Sequence, residues 1–179
     1  MTLTDISSIA TAISAVAILV SLIFVNIQVR QAEKYQRASI QQGRAARTAD
    51  IAMRLMDPDF AEVHFRCMRG DANITAAELR QFLGYCRASF LGAEDSFFQH
   101  EESLLDEKAY VSFISSAKVL LMYPGMRVMW QMTRDWYGPE FTAFMDALAS
   151  GAVRQPPIDQ LAQWKKAVMV EIDRCNKAV

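Results

Sequence analysis

Between Asp5 and Arg30 the chain carries no charged residue. The run Ile6–Val29, ISSIATAISAVAILVSLIFVNIQV, is 24 residues long. As a helix rising ~1.5 Å per residue it reaches roughly 36 Å, enough to cross a hydrocarbon core about 30 Å thick. A single segment can satisfy its backbone in that medium only as a helix. The run predicts a transmembrane anchor over residues 1–29. A cleaved signal peptide would need a basic leader and small residues after the apolar core. The leader here is MTLTD, and the core exits through bulky Leu22-Ile23-Phe24-Val25-Asn26. The core helix of a soluble protein would usually have a shorter uncharged run.

Orientation follows from the bias of Lys and Arg close to each membrane end. The N-terminal flank has none, whereas the C-terminal flank carries Arg30, Lys34, Arg37, Arg44 and Arg47. This predicts the N-terminus outside and everything after Arg30 in the cytoplasm. Cys67, Cys86 and Cys175 are odd in number, widely spaced and without a Cys-x-x-Cys pair. That suits reduced, buried structural thiols in a cytosol rather than disulfides or a zinc site.

Near-neutral net charge hides two opposed regions. Residues 28–56 carry six bases against Glu33 and Asp50, a surplus of four positive charges. From Asp57 onward there are 13 bases and 17 acids. The basic stretch, residues 30–56, is expected to be a juxtamembrane helix. There Arg30, Lys34 and Arg37 face lipid headgroups, each gaining about 1 kcal/mol close to an anionic leaflet. The acidic body, residues 57–179, and the lack of interleaved aromatics among the neck bases argue against a nucleic-acid partner.

A second periodicity runs through both segments. Ser7, Ser14 and Ser21, with Ala10 and Ala17 three residues beyond the first two, form the start of a heptad that keeps phase as far as Ala52 and Met56. Small residues let membrane helices approach closely, since lipid provides no hydrophobic drive to associate. The seam therefore marks a candidate helix-contact surface, toward itself or another membrane protein. No Pro occurs before Pro58, so one helix can run from near Ile6 to Met56, weakened by ~1 kcal/mol at Gly43.

Beyond Met56 the punctuation is helical throughout. Asp57-Pro58 opens a helix that Gly70 ends; Thr75-Ala-Ala-Glu78 is a capping box opening a helix to about Glu102. Asp106 caps a helix to Tyr123, Pro124 starts one that Gly138 ends, and Pro139 starts one through Ala149. Ser150–Pro157 reads as a linker before a final helix, Ile158 to about Lys177, with Leu161, Trp164, Val168 and Ile172 inward. The fold class is all-α: an anchor continuing into a long neck helix, then a bundle of about six helices.

The segment Glu94–Asp106, EDSFFQHEESLLD, holds the densest cluster of unusual residues. With Gln28-Val29-Arg30, Phe97-Phe98-Gln99-His100, Leu104-Leu105-Asp106 and Pro139-Glu140-Phe141, the chain resembles a widespread group of uncharacterised bacterial proteins. These share one N-terminal membrane helix and a cytoplasmic helical domain. The resemblance implies that architecture and an inner-membrane location, and it transfers no catalytic residue.

Familiar chemistries fail on spacing. A di-iron bundle needs two Glu-x-x-His motifs, but Ala61 and Phe97 stand three residues before His64 and His100. His64 with Cys67 provides two zinc ligands where three or four are needed. No Gly-rich phosphate loop, Gly-x-Ser-x-Gly or His-Glu-x-x-His occurs. No cofactor, metal or catalytic residue is expected. His100 keeps phase with Phe90, Ala93 and Phe97, which makes it a core-edge histidine bonded to Gln99, Asp106 or backbone. In a sensor it would instead line a ligand or proton site with Glu94, Glu101 and Asp106. Met122, Met126, Met129 and Met132, with Trp130 and Trp136, form a soft cluster that reads as core. Three functions stay open: a membrane-anchored interaction or scaffold protein, a membrane-anchored sensor, and an enzyme of unrecognised type.

Overall fold

A computed structural model of the chain describes residues 3–154 and 160–177, with side chains from Ile13 in the first helix and from Leu161 in the last. Those residues form an all-α protein, with no strand among them. Helix α1, Leu3–Arg54, is continuous through anchor and neck and passes Gly43 without a break. It is long and apolar enough to cross a membrane, and none of its most apolar stretch is buried by the rest of the chain. Its exposed residues include Ile18, Leu19, Ile23 and Phe24.

The body starts where α1 stops. Helix α2, Pro58–Arg69, is opened by Asp57, whose carboxylate accepts from the backbone N–H groups of Asp59 and Phe60. Gly70 ends it at φ +79°, a left-handed conformation cheap only for glycine. Helix α3, Ala76–Glu101, begins with the reciprocal Thr75–Glu78 capping box. Helix α4 spans Glu107–Leu120 and α5 spans Pro124–Thr133; α6 spans Pro139–Gly151 and α7 spans Gln160–Lys177.

Two boundaries differ from the sequence expectation, both because of proline. The helix begun by Asp106 stops at Leu120 rather than Tyr123, because Tyr123 precedes Pro124 and is pushed extended (φ −79°, ψ 133°). The helix begun by Pro124 tightens into a 3-10 turn, Arg134–Trp136, before Gly138 extends ahead of Pro139. In addition, α6 runs on through Ser150 and Gly151, so the expected linker is shorter, and its residues 155–157 lie outside the described residues.

α3 is the axis of the body. Its Phe82, Cys86, Phe90 and Phe97 meet Cys67 and Met68 of α2, Met126, Met129 and Trp130 of α5, and Phe141 and Met145 of α6 in one core. Gly125 sets the closest approach. A Cβ there would lie 2.0 Å from the Cys67 carbonyl oxygen, so only glycine lets α5 reach the end of α2. Trp130, Phe82 and Phe141 are among the largest side chains fully enclosed. The soft cluster divides. Met126, Met129 and Trp130 are core as expected, whereas Met132 and Trp136 are exposed.

The last helix departs most from expectation. Leu161, Trp164 and Ile172 are exposed rather than inward, and Val168 is only half-buried. Cys175 is exposed, unlike buried Cys67 and Cys86. Amphipathic spacing selects a face of α7, but the core is already closed by α2, α3, α5 and α6.

Candidate functional site

The neck is fastened to the body at one place. Arg47 of α1 pairs with Asp95 of α3, and Ile40, Arg44 and Ile51 are half-buried along the same side. Partial burial pushes the Arg44 guanidinium below its ordinary value, the like charge of Arg47 adds to this, and Asp95 opposes it. Two of the five bases that follow the apolar run thus face the body, whereas Arg30, Lys34 and Arg37 stay exposed. In the contact seam, Ser14, Ala17 and Ser21 are exposed, and the Ser21 hydroxyl donates to the Ala17 carbonyl at 2.8 Å. The side chains of Ser7 and Ala10 lie outside the described residues.

The histidine region is built by a helix end. The N–H of Leu104 donates to the Gln99 carbonyl, and the N–H of Ser103 donates to that of His100. This is a Schellman closure with Ser103 in the left-handed position at φ 57°, where glycine is usual. Asp106 then caps α4 by accepting from Lys108 N–H. The reversal lays the first turn of α4 beside the last turn of α3. Tyr110 stacks flat on His100, with centroids 3.5 Å apart and planes within 5°. His100 Nε2 lies 3.2 Å from a Glu107 carboxylate oxygen, and the His100 side chain is 28% exposed.

His100 therefore sits at the core edge, but not with its expected partners. Asp106 is committed to the cap. Glu94 is engaged at the start of α6, where it accepts from the Gly138 N–H at 3.4 Å. Glu101 is exposed. The ring meets Glu107 and Tyr110 instead, and its Nδ1 is buried without a partner among the described residues. His100 and Glu107 are equidistant from the Ser103–Leu104 turn, so the pairing was readable once the turn had been placed. The stacking of Tyr110 had no sequence signal of its own.

A second histidine lies among aromatic rings. His64 of α2 lies edge-on to Tyr85 at 4.5 Å and near Phe60 and Phe82. Its Nε2 is buried without a partner among the described residues, and burial lowers its pKa from the ordinary histidine value. Cys67 is buried with its own pKa raised, chiefly by desolvation. Cys86, 3.4 Å from the Met126 sulfur, is raised much further by the same cause, so neither thiol is primed as a nucleophile. Arg66 closes the α2–α3 corner. It donates to Asp71 at 2.8 Å, to Glu78 at 2.6 Å and to the Asn73 carbonyl. Backbone hydrogen bonding, from Asn73 and Thr75 respectively, holds the Asp71 and Glu78 carboxyls below their ordinary values, and Arg66 adds to both.

No set of three or more His, Cys, Asp and Glu among the described residues is placed to hold a metal ion. Two open concavities lie away from His100, one on the surface of α7 and one beside Arg134, Tyr137 and Asp146. What the described surface offers most plainly is uncovered apolar helix: the apolar half of α1 and one face of α7. No protein-family model matches the sequence, no curated protein is significantly similar to it, and no solved structure matches it.

Proposed function

We propose that this chain is a single-pass protein of a bacterial inner membrane, with its N-terminus outside and its helical domain in the cytoplasm. In this reading the domain serves as an interaction or scaffold module, in an oligomer or within a membrane complex. One observation carries it: a body with a closed core sits between two helices whose apolar faces stay largely uncovered by the described residues. Contiguous exposed apolar surface of this kind marks sites of membrane or protein contact. The uneven distribution of Lys and Arg supports the orientation. Small seam residues Ser14, Ala17 and Ser21 suit close approach of a second helix, and Arg30, Lys34 and Arg37 suit lipid headgroups.

The sensor reading has less support. Glu94 and Asp106 are engaged by backbone N–H groups elsewhere, and neither open concavity described above is lined by His100. An enzyme reading finds no activated nucleophile among the buried thiols.

The test is the mass of the intact complex purified from detergent-solubilised membranes, together with a cytoplasm-only reporter fused after Val179. The expected result is an active reporter and a mass well above that of a 20.2 kDa monomer. Periplasmic activity at the fusion overturns the orientation. A monomer without any companion, in mild detergent and after cross-linking in membranes, overturns the interaction module.

A further inference from the structure

We infer that α7 is a second membrane contact: it lies along the surface of the anionic leaflet below which α1 holds the body. Leu161, Trp164, Val168, Ile172 and Cys175 fall on one side of this helix, at spacings of three and four. All are exposed except half-buried Val168, and α7 contributes nothing to the core. Lys166, Arg174 and Lys177 lie on the opposite side, and Lys165 and Glu171 at the two rims of the apolar one. Glu171 and Asp173 are each paired with a base of the same helix, Arg174 and Lys177, which leaves the helix with two surplus positive charges.

This is the composition of an interfacial helix, with apolar and Trp side chains on one face and bases on the other. Trp164, at 63% exposure, has the amphipathic ring that favours the headgroup boundary. Charge separates the membrane from a second copy as the occupant. Residues 57–154 carry 9 bases and 14 acids. A second copy would present to α7 the same acidic surface as its own body does, yet α7 lies off that surface. An anionic leaflet adds to the attraction a medium for the apolar face. Reach is no obstacle. The neck holds the body at Arg47, 18 residues beyond Val29, or roughly 27 Å along a helix. That is no more than the width of a small domain, so the near side of the body can come down to the leaflet. The anchor also makes docking intramolecular, so that a helix of modest intrinsic affinity suffices.

The inference rests on α1 spanning the membrane, and the test separates the two. The full-length chain is labelled with an environment-sensitive maleimide at Cys175, the one cysteine of the three that is exposed. It is then reconstituted into vesicles of phosphatidylcholine alone or of equal parts phosphatidylcholine and phosphatidylglycerol. In anionic vesicles the label is expected to shift to the blue and to be quenched by lipids with nitroxides near the headgroup. Its partitioning should fall about tenfold in the zwitterionic vesicles, and similarly with Lys165→Glu/Lys166→Glu. Because α7 lies outside the core, that variant keeps the wild-type melting of the body. An Ile18→Cys/Cys175→Ser chain, labelled at position 18, reports the anchor through deep nitroxides. Quenching at position 18 with a water-exposed label at Cys175 overturns the inference and leaves the anchor intact. Protection of Cys175 that follows the protein-to-lipid ratio, and not lipid charge, assigns the face to a second copy and overturns it too. An unquenched label at position 18 overturns the anchor, and the inference with it.

Discussion

Helices α5 and α7 have similar ingredients and opposite fates. Each has a tryptophan among aliphatic or thioether side chains at helical spacing. Trp130 of α5 is 2% exposed, whereas Trp164 of α7 is 63% exposed. The difference lies in what surrounds each helix. Gly125 lets α5 close on the Cys67 carbonyl. Trp130 is ringed by Phe90, Tyr137 and Phe141, and its indole N–H donates to Asp146 at 2.9 Å. Asp146 in turn pairs with Arg134 at 3.0 Å. Nothing comparable is offered to Trp164. An amphipathic pattern therefore selects a face, and the presence of a partner decides whether that face contributes to folding or to docking.

The sharpest way to break this comparison is to truncate both rings. Trp130→Ala should lower the stability of the detergent-solubilised chain by about 3–5 kcal/mol, through the lost ring, the cavity and the lost hydrogen bond to Asp146. Trp164→Ala should change it by less than about 0.5 kcal/mol. Urea unfolding of the body reads both. Equal losses would show that α7 packs on the body after all.

A smaller effect contrasts two glycines. Gly125→Ala forces a Cβ against the Cys67 backbone and should cost about 1–3 kcal/mol. Gly43→Ala meets nothing within 4 Å in the middle of α1 and should stabilise the neck helix by about 1 kcal/mol. The first is checked by global unfolding, the second by slower hydrogen exchange of neck amides. A neutral Gly125→Ala would mean that α2 and α5 slide apart freely.

The smallest expected effect is on pH dependence. Burial favours the neutral form of His64, so its pKa is lower folded than unfolded. Its contribution is complete above the unfolded value, near pH 6.5, and is lost as pH falls toward the folded value. Asp71 and Glu78, held below the ordinary carboxylate range, lose theirs only in more acidic solution. Between about pH 7 and 5 the His64→Leu chain should therefore show a flatter stability profile than the parent, measured as urea midpoints. Parallel profiles would mean that water reaches the ring.

Much of the fold was legible because helix ends are written locally. Asp57, Gly70, Thr75 with Glu78, Asp106, Pro124 and Pro139 each act on backbone within a turn, and the starts of α2 to α6 lie as they implied, whereas the ends of α4, α5 and α6 do not. The candidate site was less legible. His100 was singled out by its phase with Phe97, but its neighbours Glu107 and Tyr110 come from the next helix, brought in by the left-handed turn at Ser103. A pair of that kind depends on the angle of the chain reversal, which no single residue type encodes.

The uncharged run before Arg30, the all-helical punctuation and the basic neck above an acidic body are properties of residues and their near neighbours, so the sequence alone determines them. Which faces are covered is another matter. Phe82, Trp130 and Phe141 share a core, Glu94 serves Gly138 rather than His100, and α7 stays outside. Those outcomes belong to the tertiary structure. Burial is a competition among all apolar faces for a limited interior, and the winners are set by close approaches such as Gly125 on Cys67 that span tens of residues.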